Sequence, residues 1–328
     1  MPCPHCAHER TEKHGKHRNG LQRFRCPECG KTFTEPHERP IGDMRLPLDR
    51  AELALRMLLE GNSIRSTSRI TGIAPNTLCK LVAMVGTLCE NFMWKMIERV
   101  PVENVQVDEL WGFVQCKEKT RQLRHPNRFD RGDAYCFLGI ERNSRLIVAW
   151  HVGKRNARDS YAFAVKLKRA TAGRLQLSTD GFGGYESAIP SIMGRSVDWG
   201  TIVKAYVPPA TGEQRRYSPA KIVHIRRTAM IGQPDERMIC TPHVERVNLT
   251  LRMGIRRLTR LTNGFSKKWG NHEAAHSMFF AAYNFVRVHS TLRKQAPRMP
   301  RTPAMAAGLT DHVWTVRELL ENAAALAT

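Results

Sequence analysis

The chain has 328 residues, enough to bury a full core and hold two or more domains, and its 41% hydrophobic and 25% charged residues are ordinary for a soluble globular protein. Lys and Arg number 52 against 30 Asp and Glu, and the resulting +22 favours a polyanionic partner, most simply nucleic acid, although ribosomal and membrane-surface proteins share such a charge. There is no signal-peptide core and no apolar run of membrane-spanning length, so a cytoplasmic, nucleoid-associated protein is expected.

Residues 1–35 contain two CxxC units, Cys3-Pro4-His5-Cys6 and Cys26-Pro27-Glu28-Cys29, separated by nineteen residues. Each unit can present two thiolates to one ion, and Cys3, Cys6, Cys26 and Cys29 together complete a tetrahedral structural Zn²⁺ site. The segment between them is basic and turn-rich (Lys13, Lys16, Arg18, Asn19-Gly20), with Phe24 and Phe33 as packing residues. So small a unit needs such a staple. A redox CxxC is the rival, but two pairs and no βαβ pattern argue against it. Nine cysteines, four of them in CxxC units, fit a reducing compartment better than a disulfide framework.

A polar, Pro-containing linker follows. Residues 46–92 then read as helices over 51–60, 64–70 and from Pro75 to about Glu90, broken at Gly61-Asn62 and Gly72. Leu78, Leu81, Val82 and Val85 share one stripe of the third helix. This is a helix-turn-helix pattern, in which Asn76, Thr77 and Lys80 face DNA; a plain three-helix bundle is the alternative.

From residue 102 the pattern turns to strands. Residues 104–115 alternate, with Asp108 on the face of Gln106 and Leu110, and Glu109 on the face of Val105 and Val107. Acids are unfavourable inside a strand, so their presence wants a reason. A polar loop (117–133), a hairpin (134–141 and 145–152) and a helix (159–170) come next. A strand then ends at Asp180, followed by Gly181 and the Gly183-Gly184 pair. An acid at a strand end, with glycines allowing close approach, suits a metal where phosphate can reach it; a polar turn is the simpler account. Three antiparallel strands, a helix and a fourth strand match the start of an RNase H-like α/β sheet in which Asp108 and Asp180 lie side by side.

Residues 185–193 read as a helix, 200–207 and 220–230 as strands, with a basic cluster at Arg215, Arg216, Lys221, Arg226 and Arg227. A long amphipathic helix then begins at Thr241-Pro242. Val247, Leu251, Ile255, Leu258 and Leu261 share one face, and Glu245, Arg252 and Arg256 the other, with Asn248 at its edge. That face can hold a metal at the carboxylate and a DNA backbone at the arginines, or simply be solvated. A helix over 272–289 carries His272-Glu273-Ala274-Ala275-His276, a formal HExxH match without a convincing third ligand. The chain ends in a basic, Pro-rich tail (291–328) with a final helix.

The stretches VDELWGFV, STDGFGGY, HVERVNLTLRMGIRRLTR, YNFVRVHSTLR and TPAMAAGLTDHVW resemble the transposases of the insertion sequence 1 family, over nearly the whole chain. The resemblance implies a DDE recombinase with Asp108, Asp180 and Glu245 as the three acids, Arg252 as a basic residue two turns after the Glu, and a catalytic domain over 100–290. Relative to shorter members, about 195–238 looks like an insertion. The family often encodes its DNA-binding and catalytic parts in separate reading frames; here they are continuous. The expected cofactors are two Mg²⁺ (or Mn²⁺) ions per active site and the structural Zn²⁺. The expected partners are transposon terminal inverted repeats, target DNA and at least a second copy of the chain. Glu109 is the rival for the first acid. A non-catalytic zinc/helix-turn-helix DNA-binding regulator is the alternative function.

Overall fold

The computed structural model describes residues 1–17, 21–35, 39–207, 221–260, 262–295 and 299–326. Arg18, Asn19 and Gly20 of the basic segment, Arg215 and Arg216 of the basic cluster, and Leu261 of the apolar stripe lie outside the described residues. The chain opens with an antiparallel sheet of three short strands, β1 (Glu12–Lys16), β2 (Gln22–Arg25) and β3 (Thr32–Thr34). Phe24 stacks on Phe33 at 5.9 Å, while every residue of β1 is exposed. This is too little apolar burial to order the unit without a further tie.

Three helices follow. In α1 (Leu48–Leu59), Ala51, Ala54, Leu55 and Leu58 form the buried stripe. α2 (Ile64–Thr71) begins where the Ser63 hydroxyl accepts the Ser66 N–H, and ends at Gly72, whose φ of 68° suits glycine. α3 (Pro75–Met96) runs past Glu90 and buries its expected stripe, then Cys89, Phe92 and Met93.

A pair of short parallel strands, β4 (Val100–Pro101) and β8 (Thr171–Ala172), stands apart from the main sheet. The main sheet contains β5 (Asn104–Val114), β6 (Gly132–Glu141), β7 (Ile147–Gly153), β9 (Leu175–Thr179), β10 (Val197–Val207) and β11 (Lys221–Ile231). Their order is β11-β10-β9-β5-β6-β7. β5, β6 and β7 form an antiparallel meander, β9 and β10 run parallel with β5, and β11 returns antiparallel. The range 195–238, expected as an insertion, thus supplies two strands of this sheet.

The stretch expected as a polar loop contains α4 (Glu118–Arg124), closed by an Arg121–Glu118 pair at 2.7 Å. α5 (Ala157–Ala170) and α6 (Gly184–Met193) cover the sheet face bearing Phe137, whose ring meets Phe163 and Tyr185. α7 (Pro242–Gly254) and α8 (Trp269–Phe285) cover the other face, where Trp150 meets Phe280 at 5.2 Å. The helix expected to reach Leu261 stops at Gly254, and Ile255 turns to an extended backbone with φ −102° and ψ 97°. At Gly254 a Cβ would stand 2.2 Å from the Phe279 ring, so glycine is what lets α8 approach there. A short 3₁₀ turn, Arg256–Leu258, follows.

The helical region and the sheet share one apolar core. A Cβ at Gly86 of α3 would lie 2.4 Å from the backbone of Ala274 in α8, so these two helices touch backbone to backbone. The C-terminal part holds α9 (Ser290–Gln295), α10 (Pro303–Ala306) and α11 (Val316–Ala325). It is more than a basic tail: Trp314 packs on Phe285 at 4.7 Å and Phe92 at 5.5 Å, and Arg317 pairs with Glu52 at 2.9 Å. No single helix among the described residues is long and apolar enough to cross a membrane.

Candidate metal centre and acidic site

The two CxxC turns have the same backbone. Ala7 N–H donates to the Cys3 carbonyl and Gly30 N–H to the Cys26 carbonyl, with Ala7 and Gly30 at φ 58° and 67°. These turns aim the thiols at one point, and all four sulfurs lie within 4.8 Å of one another. Cys3 and Cys29 are 3.7 Å apart, Cys6 and Cys26 3.5 Å. Sulfurs at about 2.3 Å from one tetrahedral ion stand roughly 3.8 Å apart, so the cluster fits a structural zinc. Burial of the Cys3 thiol works against ionisation, but the N–H groups of His5 and Cys6 and the neighbouring thiols outweigh it and bring the group down to about 7.

The acids are assembled differently. Asn104 pairs with Gln176 and Gln106 with Ser178 across the parallel β5–β9 ladder. Two residues further along each chain, the same register sets Asp108 beside Asp180. Asp180 follows the last residue of β9, and its Oδ1 accepts the Phe182 N–H at 3.0 Å, closing the turn into α6. Gly184 is needed there because a Cβ would stand 2.5 Å from Ser160 Oγ of α5.

Glu245 comes from the first turn of α7. Gln106, buried in β5, accepts the His243 and Val244 N–H groups at 2.9 and 3.3 Å. It therefore caps α7 from the strand that carries Asp108. One turn along α7, Asn248 Nδ2 donates to Asp108 Oδ2 at 2.7 Å. The Glu245 carboxylate accepts from Thr241 Oγ1 at 2.7 Å and from the Lys204 ammonium. Arg155 lies 3.7 Å from Asp180. Burial, and next the negative charge of Asp180, push Asp108 up to about 6; Glu245 adds to this.

Glu109 lies on the opposite face, against Tyr185 and Arg155. Burial and Asp180 push it up to about 7. Its oxygens are taken by those two side chains. Among the described residues, no group of three or more Asp, Glu, His or Cys gathers its ligand atoms as closely as the four cysteines do.

The insertion element iso-IS1N protein InsA of Shigella dysenteriae is 31% identical to this chain over 78 residues, which are 24% of this chain and 82% of that protein. The chain belongs to the insertion sequence 1-related family. Its role is accordingly associated with an insertion element, and the greater part of its length lies outside that match. No family model matches the chain.

In this insertion sequence 1-related chain the residues expected to face DNA are divided. Asn76 and Lys80 are exposed at the start of α3, and Thr77 is half-buried. Asn248 is buried instead of facing out, because a residue three positions after Glu245 turns toward the sheet and meets Asp108. Arg252 is half-buried, donating to the Leu258 carbonyl at 3.1 Å and the Trp111 carbonyl at 3.4 Å, so it braces the end of α7. Arg256 is exposed beyond the helix. Gln106 and Lys204 were not singled out from sequence; a Gln two residues before Asp108 on the same strand face is the signal that marks the first. The HExxH histidines are interior. His272 Nδ1 lies 2.8 Å from Ser266 Oγ, and His276 Nδ1 lies 2.8 Å from the His272 carbonyl. Burial pushes His276 down to about 4.

Proposed function

We propose that the protein is a DNA transposase of the DDE type, with Asp108, Asp180 and Glu245 as its acids, Mg²⁺ or Mn²⁺ as its cofactor and DNA as its substrate. The observation that carries the proposal is the β5–β9 register, which sets two acids side by side at one end of the sheet, next to the first turn of α7. The order β7-β6-β5-β9-β10, with β6 alone reversed among these five, supports an RNase H-like sheet. Family membership and the +22 charge support a DNA partner.

Carboxylate oxygens suit Mg²⁺; Asp108 is raised first by burial and then by Asp180 and Glu245, and the repulsive part is what a cation relieves. When bound, two such ions supply a nucleophile and stabilise the leaving oxygen of an in-line displacement. The protein's own residues orient the donors. Asn248 donates to Asp108 and so favours its ionised form. Gln106 fixes the helix that carries Glu245, and Thr241 sets the rotamer of that side chain. Lys204 and Arg155 are the counter-charges beside Glu245 and Asp180. Joining two transposon ends calls for at least a homodimer on DNA.

The test is cleavage and strand transfer on DNA taken from the gene's own flanks, with Mg²⁺ or Mn²⁺, comparing wild type with Asp180→Ala. Products from the wild type alone are expected. Products from both overturn the assignment of Asp180. Binding without products from either leaves a non-catalytic DNA-binding regulator, or a decayed transposase, as the better account.

A further inference from the structure

A cavity of about 850 Å³ lies where the starts of α2 and α3 meet the turn after α7 and the start of α8. Its floor is apolar, with Leu58, Val82 and Phe279 among the lining residues. Around it stand four cations, Arg65, Arg256, Arg257 and Lys267, and no Asp or Glu is among the described lining residues. Arg257 is half-buried, and burial lowers its guanidinium below the usual range. Pro75 and Asn76 bring the start of α3 to the wall, and α3 has no side-chain cap there. Pro75 carries no N–H, so the Asn76 and Thr77 N–H groups are the ones an anion would meet there, and the helix dipole favours one.

We propose that this cavity binds an unpaired nucleotide, with its base on the apolar floor and its phosphate among the four cations and the start of α3. The apolar floor accepts any base face, and the absence of acids leaves nothing to repel phosphate. The volume is that of a small-molecule site, room for one or two nucleotides and too little for a base-paired duplex. The occupant is a nucleotide held out of a DNA strand, or a free nucleotide of the same chemistry. Asn76, expected to read a major groove, would instead meet this nucleotide. The proposal rests on the DNA-binding part of the reading above, and not on the hydrolytic part.

The test uses the full-length, zinc-loaded protein without Mg²⁺ or Mn²⁺, so that failure of catalysis cannot enter the result. A labelled thymidine octamer and a blunt duplex are titrated by fluorescence anisotropy into wild type and into the double variant Arg65→Gln/Lys267→Gln. Both positions are exposed, so the variant keeps its core. The variant is expected to bind the octamer about tenfold more weakly and the duplex no more than about threefold more weakly. Equal weakening of both, or an unchanged octamer, overturns the proposal. Thymidine monophosphate, competed against the octamer on wild type, identifies the source: displacement points to a free nucleotide, and no displacement to a nucleotide within a strand.

Discussion

The cysteine cluster and the acidic site gather negative donor groups by opposite means. In the first, the donors lie on two short turns, and the surrounding strands bury almost nothing. Their thiols converge within 4.8 Å although little else holds them there. In the second, the donors come from β5, the end of β9 and the start of α7, and a large shared core fixes all three elements. The cysteines determine the fold around them, whereas the fold determines where the acids stand. The acids accordingly stay further apart, with Lys204, Arg155 and Asn248 on their oxygens.

The sharpest way to break this contrast is to remove one donor from each region. Cys26→Ser is expected to abolish zinc retention and to unfold residues 1–35, because structural zinc contributes most of the folding free energy of such a unit, on the order of 10 kcal/mol. Zinc content and amide exchange of that segment are the measurements. Protection there without zinc would show that packing suffices. The sheet should keep its protection throughout.

Gln106→Ala comes next. It leaves two N–H groups at the start of α7 without an acceptor, at a cost of about 1–3 kcal/mol. A lower urea midpoint is expected, with faster exchange at residues 243–245 and little change in β6 or β7. Unaltered exchange in α7 would mean that something else sets the position of Glu245.

Asp108→Asn should act in the other direction. The folded state holds this carboxyl at about 6, above its ordinary 3.8, so ionisation penalises folding. The penalty is absent below the ordinary value, grows as pH rises through this window and persists above it. The buried Oδ1 of Asn248 has no partner and can receive the new amide once Asn248 turns over. A rise in Tm of a few degrees at pH 7.5, worth at most about 2–3 kcal/mol, and no rise at pH 4, is the expected result without divalent metal. Mg²⁺ should narrow the difference by stabilising the wild type. A variant less stable than wild type at pH 7.5 sinks this account.

The cysteine spacing, the strand patterns around Asp108 and Asp180, and most helix starts were legible because each depends on neighbours in the chain. Most of what escaped depends on partners far away. α4 is the exception: it hid in a polar stretch because its buried Arg121 is held by near neighbours, Glu118 and the Pro126 carbonyl, rather than by apolar periodicity. The glycine at 254 answers to the Phe279 ring, and the inward turn of Asn248 to Asp108, 140 residues away in sequence. The C-terminal segment reads as a basic tail, yet Trp314 docks between Phe92 and Phe285. The partners of Gly254, Asn248 and Trp314 cannot be read from a local window.

The backbone contact between Gly86 and Ala274 constrains how the molecule could travel along DNA. A recognition helix on a flexible tether can search while its catalytic partner trails in any orientation. Here α3 has no such slack, because a single added methyl at position 86 would drive the two helices apart. If α3 enters a groove, the sheet is carried to one angular setting on the duplex. The distance from the recognised sequence to the cleaved bond is then a fixed length of this fold, measured in rigid protein rather than in linker.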